Sequence, residues 1–462
     1  MHATSSVLRH QQKRIQDQLN QSDIYSFFNV LTSDDLLSHV EETLPVHRER
    51  QFPPTETLAM FLSQALNADR SCQRVVNEAA TNRLLGGLQP CSTSTGGYCR
   101  ARQRLPLEMV RGLARLTGQL VDEQVPLQWR WRHRPVRLID GSTVTMPDTA
   151  VNQAAYPKQG RQKDGLGFPI CRFVGITCLS SGAVLDVAVG RYQGKGADEQ
   201  TLLRSLLHNL EMDDIVLGDA FYCTYFLLAE LQSRGIDGVF EQHGSRKRKT
   251  DFRTGRKLGQ RDHLITYTKP KIQPQWMSDE AYAAAPDSLT IRELKVDGKI
   301  LVTTLCCSKE VSKHAVKDLY KSRWNVELDL RHIKTTLGME TLSCKTPEMA
   351  FKELWIYMLA YNLIRLLMAQ SAFLTECLPR TLSFKHTVQL WLSFTRQWRQ
   401  TYDYEQVTVL MLMIAERRVG NRPGRIEPRA VKRRPKPMPL LTKPRQVARA
   451  QVERYGHAKK LK

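Results

Sequence analysis

The sequence predicts an α/β chain: a mixed-sheet core interrupted by a β-rich insertion, with helical N- and C-terminal regions. Three observations carry this. Apolar runs at strand length, interleaved with helical segments, fill 131–242; short alternating strands with turns fill 243–308; and helical periodicity dominates up to about residue 125 and again after 309. A chain of 462 residues is long enough for several domains and a sizeable core.

The elements follow in order. Residues 1–130 show amphipathic helical patterns in "IYSFFNVLTSDDLLSHVEETL", "TETLAMFLSQALNAD" and "LEMVRGLARLTGQLVDEQV". Between them, "SCQRVVNEAATNRLL" precedes "STSTGGYCRARQRL", where Ser and Thr caps lead into Arg100, Arg102 and Arg104. That suits a helix-turn-helix-like DNA reader or a plain helical bundle with a basic surface. "PVRLID" is the first clear strand, followed by strands "CRFVGITCLS" and "AVLDVAVG", a helix "DEQTLLRSLLHNL", a strand "IVLGD", a helix "CTYFLLAELQSRG" and a strand "GVFEQ", which closes the first part of the core, 131–242. The insertion at 243–308 begins with "HGSRKRKTDFRTGRKLGQRD" and continues through "LITYT", "LTIRELKV" and "KILVTTLCC". Helices over 312–337 and 347–372 make the second part of the core, 309–372; a C-terminal helical region, 373–420, has a helix from 384 to about 416. The last stretch, 421–462, is rich in Pro, Lys and Arg and is expected to be a basic tail, disordered when free.

The net charge of +22 sets the partner class. A basic surface of that size favours a polyanion, nucleic acid first and anionic membrane second, because neutralising phosphates releases condensed counterions. No run of 18 apolar residues occurs; the most apolar stretch, 353–373, carries Glu353, Asn362, Arg365 and Gln370 and is expected to be a buried helix. The first residues lack an apolar signal core, and the ten cysteines show neither a C-x2-C pair nor zinc spacing. Reduced thiols in a cytoplasmic protein, nucleoid-associated when bound to DNA, are the expectation, with Cys306 and Cys307 packed in the core.

The chemistry is concentrated in "YKSRWNVELDLRHIK", residues 320–334. At about 100° per residue, Tyr320, Arg323, Glu327, Arg331 and Lys334 share a stripe roughly 80° wide, whereas Asp329 lies about 200° from Glu327. One carboxylate is thus presented among cations and an aromatic, an arrangement suited to holding a polyanion against an acid; the competing reading is ordinary surface pairing. An acid serves a phosphodiester best by holding divalent metal, which needs two or three carboxylates. Asp140 ends "VRLID" beside Gly141, and Asp219 ends "IVLGD" beside Gly218. Strand ends of this kind gather ligands, and if the two strands are neighbours the carboxylates converge. Among the other acids, Asp148 reads as a turn residue, Asp198 and Glu199 as helix caps, and Asp213 and Asp214 as solvated; His332 falls off the stripe.

At these residues the sequence resembles DDE transposases of the insertion-sequence-four group. Their signature Y-x2-R-x3-E-x6-K is matched by Tyr320, Arg323, Glu327 and Lys334, while "DGSTVTMPDT" and "GDAFY" look like the segments carrying the first and second acids. The likeness extends over roughly 135–370. It implies a ribonuclease-H-like core, a catalytic and metal-binding triad of Asp140, Asp219 and Glu327, and two Mg²⁺ ions with Mn²⁺ as a possible substitute. It also implies DNA-backbone contacts from Tyr320, Arg323 and Lys334; Arg331 rests on the stripe alone. Trp276, in the insertion, either stacks on a base flipped from the terminal duplex or packs the insertion itself. The implied activity is cut-and-paste transposition, with nicking, hairpin formation and opening, and strand transfer. The partners would be double-stranded DNA, as terminal inverted repeats and target, and a second copy of the chain; no membrane is expected. A nuclease or resolvase of the same fold, or a non-catalytic DNA-binding protein, is the alternative.

Overall fold

The computed structural model describes residues 39, 42–44, 51–85, 87, 91–160, 166–194, 196–244, 250–397, 404–419 and 443–456. Nearly all of the helix expected over 24–44, and most of the basic tail, lie outside them. From residue 51 on, the described N-terminal helices are α1 (Pro54–Leu66), α2 (Cys72–Leu85), α3 (Thr95–Arg104) and α4 (Leu107–Glu123). The core then runs β1 (Val136–Thr145), α5 (Ala150–Ala155), β2 (Ile170–Cys178), β3 (Val184–Arg191), α6 (Glu199–Arg204), β4 (Ile215–Gly218), α7 (Tyr225–Ser233) and β5 (Asp237–Glu241). Strands β1, β2 and β3 form an antiparallel meander, and β4 and β5 add in parallel on the far side of β1. The local order β3-β2-β1-β4-β5, mixed in sense, is that of a ribonuclease-H-like core.

The insertion holds β6 (Arg256–Gly259), β7 (Asp262–Thr268), α8 (Asp279–Ala284), β8 (Ser288–Val296) and β9 (Lys299–Thr303). It does not form a separate sheet. Strand β9 pairs antiparallel with β5, Val239 opposite Thr303, so one nine-stranded sheet runs β3-β2-β1-β4-β5-β9-β8-β7-β6. The exposed edge of β5 is thereby covered, as sheet edges generally must be. Cys306 and Cys307 follow the end of β9 and are half-exposed and exposed, so the expected core packing does not hold for them; all ten cysteines are free thiols.

Helices α9 (Lys313–Lys321) and α10 (Trp324–Arg331) return to the sheet, and α11 (Pro347–Leu374) runs through the largest apolar cluster. As expected, 353–373 is a buried helix. Its buried Asn362 works as a clamp, donating to the Ala114 and Val184 carbonyls and accepting from the Val184 amide, all at 2.8 Å. That ties α4, β3 and α11 together and satisfies a buried polar group fully. No helix among the described residues is long and apolar enough to cross a membrane. Of the helix expected from 384 to about 416, the described residues Phe384–Gln397 and Tyr404–Glu416 are helical, α12 and α13. Within the tail, Arg445–Tyr455 forms α14, entered through Pro444 and ended by Gly456 at φ +72°, contrary to the expected disorder at these residues. Its first residue pairs with Asp148 and stacks over Phe168.

Candidate active site

Strand register sets the first two acids side by side. The β1–β4 ladder pairs Val136 with Ile215 and Leu138 with Leu217. Asp140 and Asp219 each lie two residues beyond the last rung, at the same end of the sheet, where α/β sheets place their ligands. Asp140 is aimed by its own neighbour, the Gly141 amide donating to Oδ1 at 2.8 Å. Asp219 caps the short turn that follows β4, accepting from the Phe221 amide at 2.8 Å.

The third acid arrives on α10. The chain from Lys313 to Thr336 is helical apart from a turn at 322–323 and is not uniformly wound: i to i−3 hydrogen bonds tighten it between Ser322 and Val326, and a π turn loosens it at His332–Thr336. Overwinding followed by underwinding returns Lys334 to the face it would occupy on an even helix. Lys334 donates to the Ser142 hydroxyl at 3.1 Å, two residues along β1 from Asp140. Backbone bonds between Thr145 and residues Glu340 and Leu342 hold that approach in place. Arg323 binds two acids at once: Nη2 donates to Glu327 Oε1 at 3.1 Å and Nη1 lies 3.8 Å from Asp140 Oδ2. Tyr320 is half-buried near the same group, and burial pushes its hydroxyl well above the ordinary range, leaving it neutral. Asp329, on the opposite side of α10, is fully buried, as its 200° offset requires.

Six other residues fall differently. Arg331 is exposed at the last position of α10, and no hydrogen bond or ion pair among the described residues joins it to the acids. Trp276 is 47% exposed, lies under the Arg204 guanidinium at 3.8 Å and meets Phe226 edge-on, bordering a groove lined by Leu203, Leu207 and Met277. In α3, Arg100 and Arg104 are exposed. Arg102 does not fit the expected DNA contact. It is buried over the rings of Phe61 and Tyr98, 4.8 and 4.9 Å away, and donates to Gln64 and Cys72, because a bundle core can take a guanidinium when aromatic faces and acceptors meet it. Asp214, expected in solvent, is also buried, accepting from Arg137 at 2.9 Å.

Sequence reasoning missed one carboxylate here. Asp198 alone caps α6, leaving Glu199 free to reach toward Gly141, and Tyr222 donates to its Oε2 at 3.3 Å. The signal was present: a helix start needs one capping acid, and this one has two.

Electrostatics follow from crowding acids in a partly buried place. Burial pushes Asp140 up to about 6, with the Asp219 and Glu199 charges adding to it and Arg323 opposing. Its ordinary value is 3.8, so the folded carboxyl holds its proton more tightly than the unfolded one. The stability this gives is complete below about pH 4 and is lost as pH rises through about 6. Asp140→Asn is therefore expected to raise the melting temperature of the metal-free chain by a few degrees at pH 8 and by nothing at pH 4, read by circular dichroism. An equal shift at both pH values would show that the carboxyl is not perturbed.

The donor set is all oxygen, which suits a hard divalent cation. Among the described residues no three acidic, His or Cys side chains already converge tightly enough to hold an ion. The place between Asp140 and Glu327 is taken by a guanidinium, so positive charge is what this pair of acids draws in.

Against known proteins, residues 131–363 match the family described as transposase DDE domain. The chain is 29% identical over 349 residues to the transposase InsG for insertion sequence element IS4 from Escherichia coli K12, covering 74% of this chain and 75% of that one. Among solved structures, it is similar to a piggyBac transposase synaptic complex with hairpin DNA, at TM-score 0.43, 11% identity and 88% coverage of both chains.

Proposed function

The chain belongs to the transposase DDE-domain family, and from that premise we propose that Asp140, Asp219 and Glu327 are its catalytic carboxylates and that it moves an insertion sequence by cut-and-paste. It is a DNA transposase, an enzyme that cleaves and rejoins DNA phosphodiesters, and such enzymes work with divalent metal ions. The observation that carries the residue assignment is Arg323: one signature side chain touches both Asp140 and Glu327, while strand register sets Asp219 beside Asp140.

The oxygens of these three residues would hold two Mg²⁺ ions, with Mn²⁺ as a substitute, which would supply Lewis acidity toward the scissile phosphodiester. The chain's own residues do the rest. The acids sit on a rigid strand, on the turn after its neighbour and on a packed helix, so their spacing is fixed before DNA arrives. Arg323 is shared between two carboxylates at 3.1 and 3.8 Å and is the group placed to turn from them to a DNA phosphate. Lys334 and the neutral Tyr320 flank it as backbone contacts. Lys334→Ala is expected to weaken binding to end DNA several-fold and to lower the salt slope of binding by about 1. An unchanged slope in fluorescence anisotropy would remove Lys334 from the interface.

Exposed Arg331, Arg100 and Arg104 belong to the same proposed DNA-binding surface, as does Trp276 through its exposed ring. The proposed regions are 1–130 for DNA binding, 131–242 and 309–372 for catalysis, 243–308 for the insertion, and 373–420 and 421–462 for the C-terminal helices and basic tail. Two ends must be held at once, so the active species is a homodimer on DNA. The test is to incubate the full chain and Mg²⁺ with a duplex carrying the element's terminal inverted repeat. A 3′ nick that matures to a hairpin on a denaturing gel, then joins a target plasmid, is the expected series; nicking without joined product would favour a nuclease.

A further inference from the structure

Glu199 stands at the start of α6 with no capping work to do. Asp198 already accepts from the Thr201 amide at 3.0 Å and from its hydroxyl at 2.7 Å. The Glu199 side chain runs over the backbone of Gly141 instead: a β-carbon on residue 141 would lie 2.4 Å from its Cδ and 2.6 Å from Oε2. Only the absence of a side chain at 141, next to Asp140, leaves room for this carboxyl. From the other side Tyr222, three residues past Asp219, donates to Oε2 at 3.3 Å. The carboxyl therefore lies between the residue that follows the first acid and the turn that follows the second.

An ordinary ion pair with Arg172 is the competing role, and its geometry is loose. Arg172 Nε is 3.7 Å from Glu199 Oε1, beyond hydrogen-bond distance, and that buried N–H has no hydrogen-bond partner. Arg172 is held by other means, donating to the Ala197 carbonyl at 3.0 Å and stacking over Tyr192 at 5.0 Å. A carboxylate kept in a tight place with one weak hydrogen bond among the described residues is poised for another partner.

We propose that Glu199 is a fourth carboxylate of the cation site, joining Asp140, Asp219 and Glu327. The inference rests on the proposed triad and deepens it. Hard divalent ions are retained by the number of anionic oxygens offered, and a fourth acid lets the chain hold one before DNA brings a phosphate oxygen. The consequence is divalent-cation binding by the chain without DNA.

The test is Mn²⁺ binding to the full DNA-free chain, followed by electron paramagnetic resonance of the free ion. Glu199→Gln is expected to weaken binding about tenfold with an unchanged melting temperature. Glu199→Asp, which keeps the charge but withdraws it by one methylene, is expected to fall between Gln and the unaltered chain, and serves if the first variant does not fold. Arg172→Met is expected to leave Mn²⁺ affinity unchanged or tighter; an equal weakening in Arg172→Met and Glu199→Gln would assign Glu199 to the ion pair and overturn the proposal. If Asp140→Asn loses Mn²⁺ and Glu199→Gln does not, the fourth ligand is wrong and the triad stands. If neither substitution alters Mn²⁺ binding, the triad assignment itself fails.

Discussion

Asp140→Asn, Asp219→Asn and Glu327→Gln are each expected to lower cleavage of end DNA by about a thousandfold or more while leaving DNA binding intact. The size follows from what a charged ligand contributes. Removing one charged oxygen from a two-ion phosphoryl-transfer site forfeits several kcal/mol of transition-state stabilisation, and each ~1.4 kcal/mol is a factor of ten in rate. Binding survives for a different reason: it is supplied by the cations of a chain carrying 68 Lys and Arg against 46 acids, and deleting an acid does not reduce that attraction. The three substitutions are also near-isosteric, so the register of β1 with β4 and the path of α10 have no cause to change. Single-turnover cleavage in Mg²⁺, paired with anisotropy on the same duplex, separates the two quantities. Cleavage surviving within tenfold in any one variant would remove that residue from the catalytic set. A parallel loss of binding and cleavage would show that the substitution unfolded the site.

Much of this site was legible in the sequence because its residues announce themselves locally. Asp140 and Asp219 end short apolar runs beside a glycine, and Glu327 sits in a fixed spacing with Tyr320, Arg323 and Lys334. The strands of the core are likewise local events, decided by four to ten residues each. What was not legible depends on partners far away in the chain. That β9 joins β5, making one sheet of core and insertion, is settled by edge pairing across about 60 residues, which no local pattern encodes. Arg102 reads as one more basic residue in a basic helix until Phe61, Gln64 and Cys72 come round to enclose it. Glu199 was hidden by a correct but incomplete rule, since an acid at a helix start is usually a cap, and here the cap was its neighbour. The winding changes in α10 are invisible for a third reason: no Pro or Gly marks them, and they are imposed by what the helix is bolted to.

That bolt is Asp329, and its loss is expected to have the largest effect on stability of any single substitution near the site. Its carboxylate is fully buried and accepts from Arg365 at 2.6 Å and from Arg380 at 3.0 and 2.8 Å. Arg380 continues to the carbonyls of Cys178 and Leu179 at the end of β2, and Arg365 to the Tyr361 hydroxyl, which donates onward to the Gly182 carbonyl at 2.9 Å. One acid thus fastens α10 to α11, to the segment before α12 and to the central sheet. Asp329→Ala strands two buried guanidinium groups without their counter-charge, a loss of about 3 to 5 kcal/mol. The melting temperature should fall by 10 °C or so. Nearby His332, stacked on Phe384, is held down to about 4 by burial and by Arg365, so it is neutral at working pH and offers no replacement charge. Because Glu327 rides on the same two turns, Asp329→Ala should also lower the cleavage rate at temperatures where the chain remains folded, with little change in DNA affinity. Arg380→Met alone removes one of the two partners and should cost less. A variant of Asp329 that melts within 2 °C of the unaltered chain would mean that α10 is held by its apolar face alone, through Val326 and the cluster around Leu319, and that the placement of Glu327 owes nothing to this network.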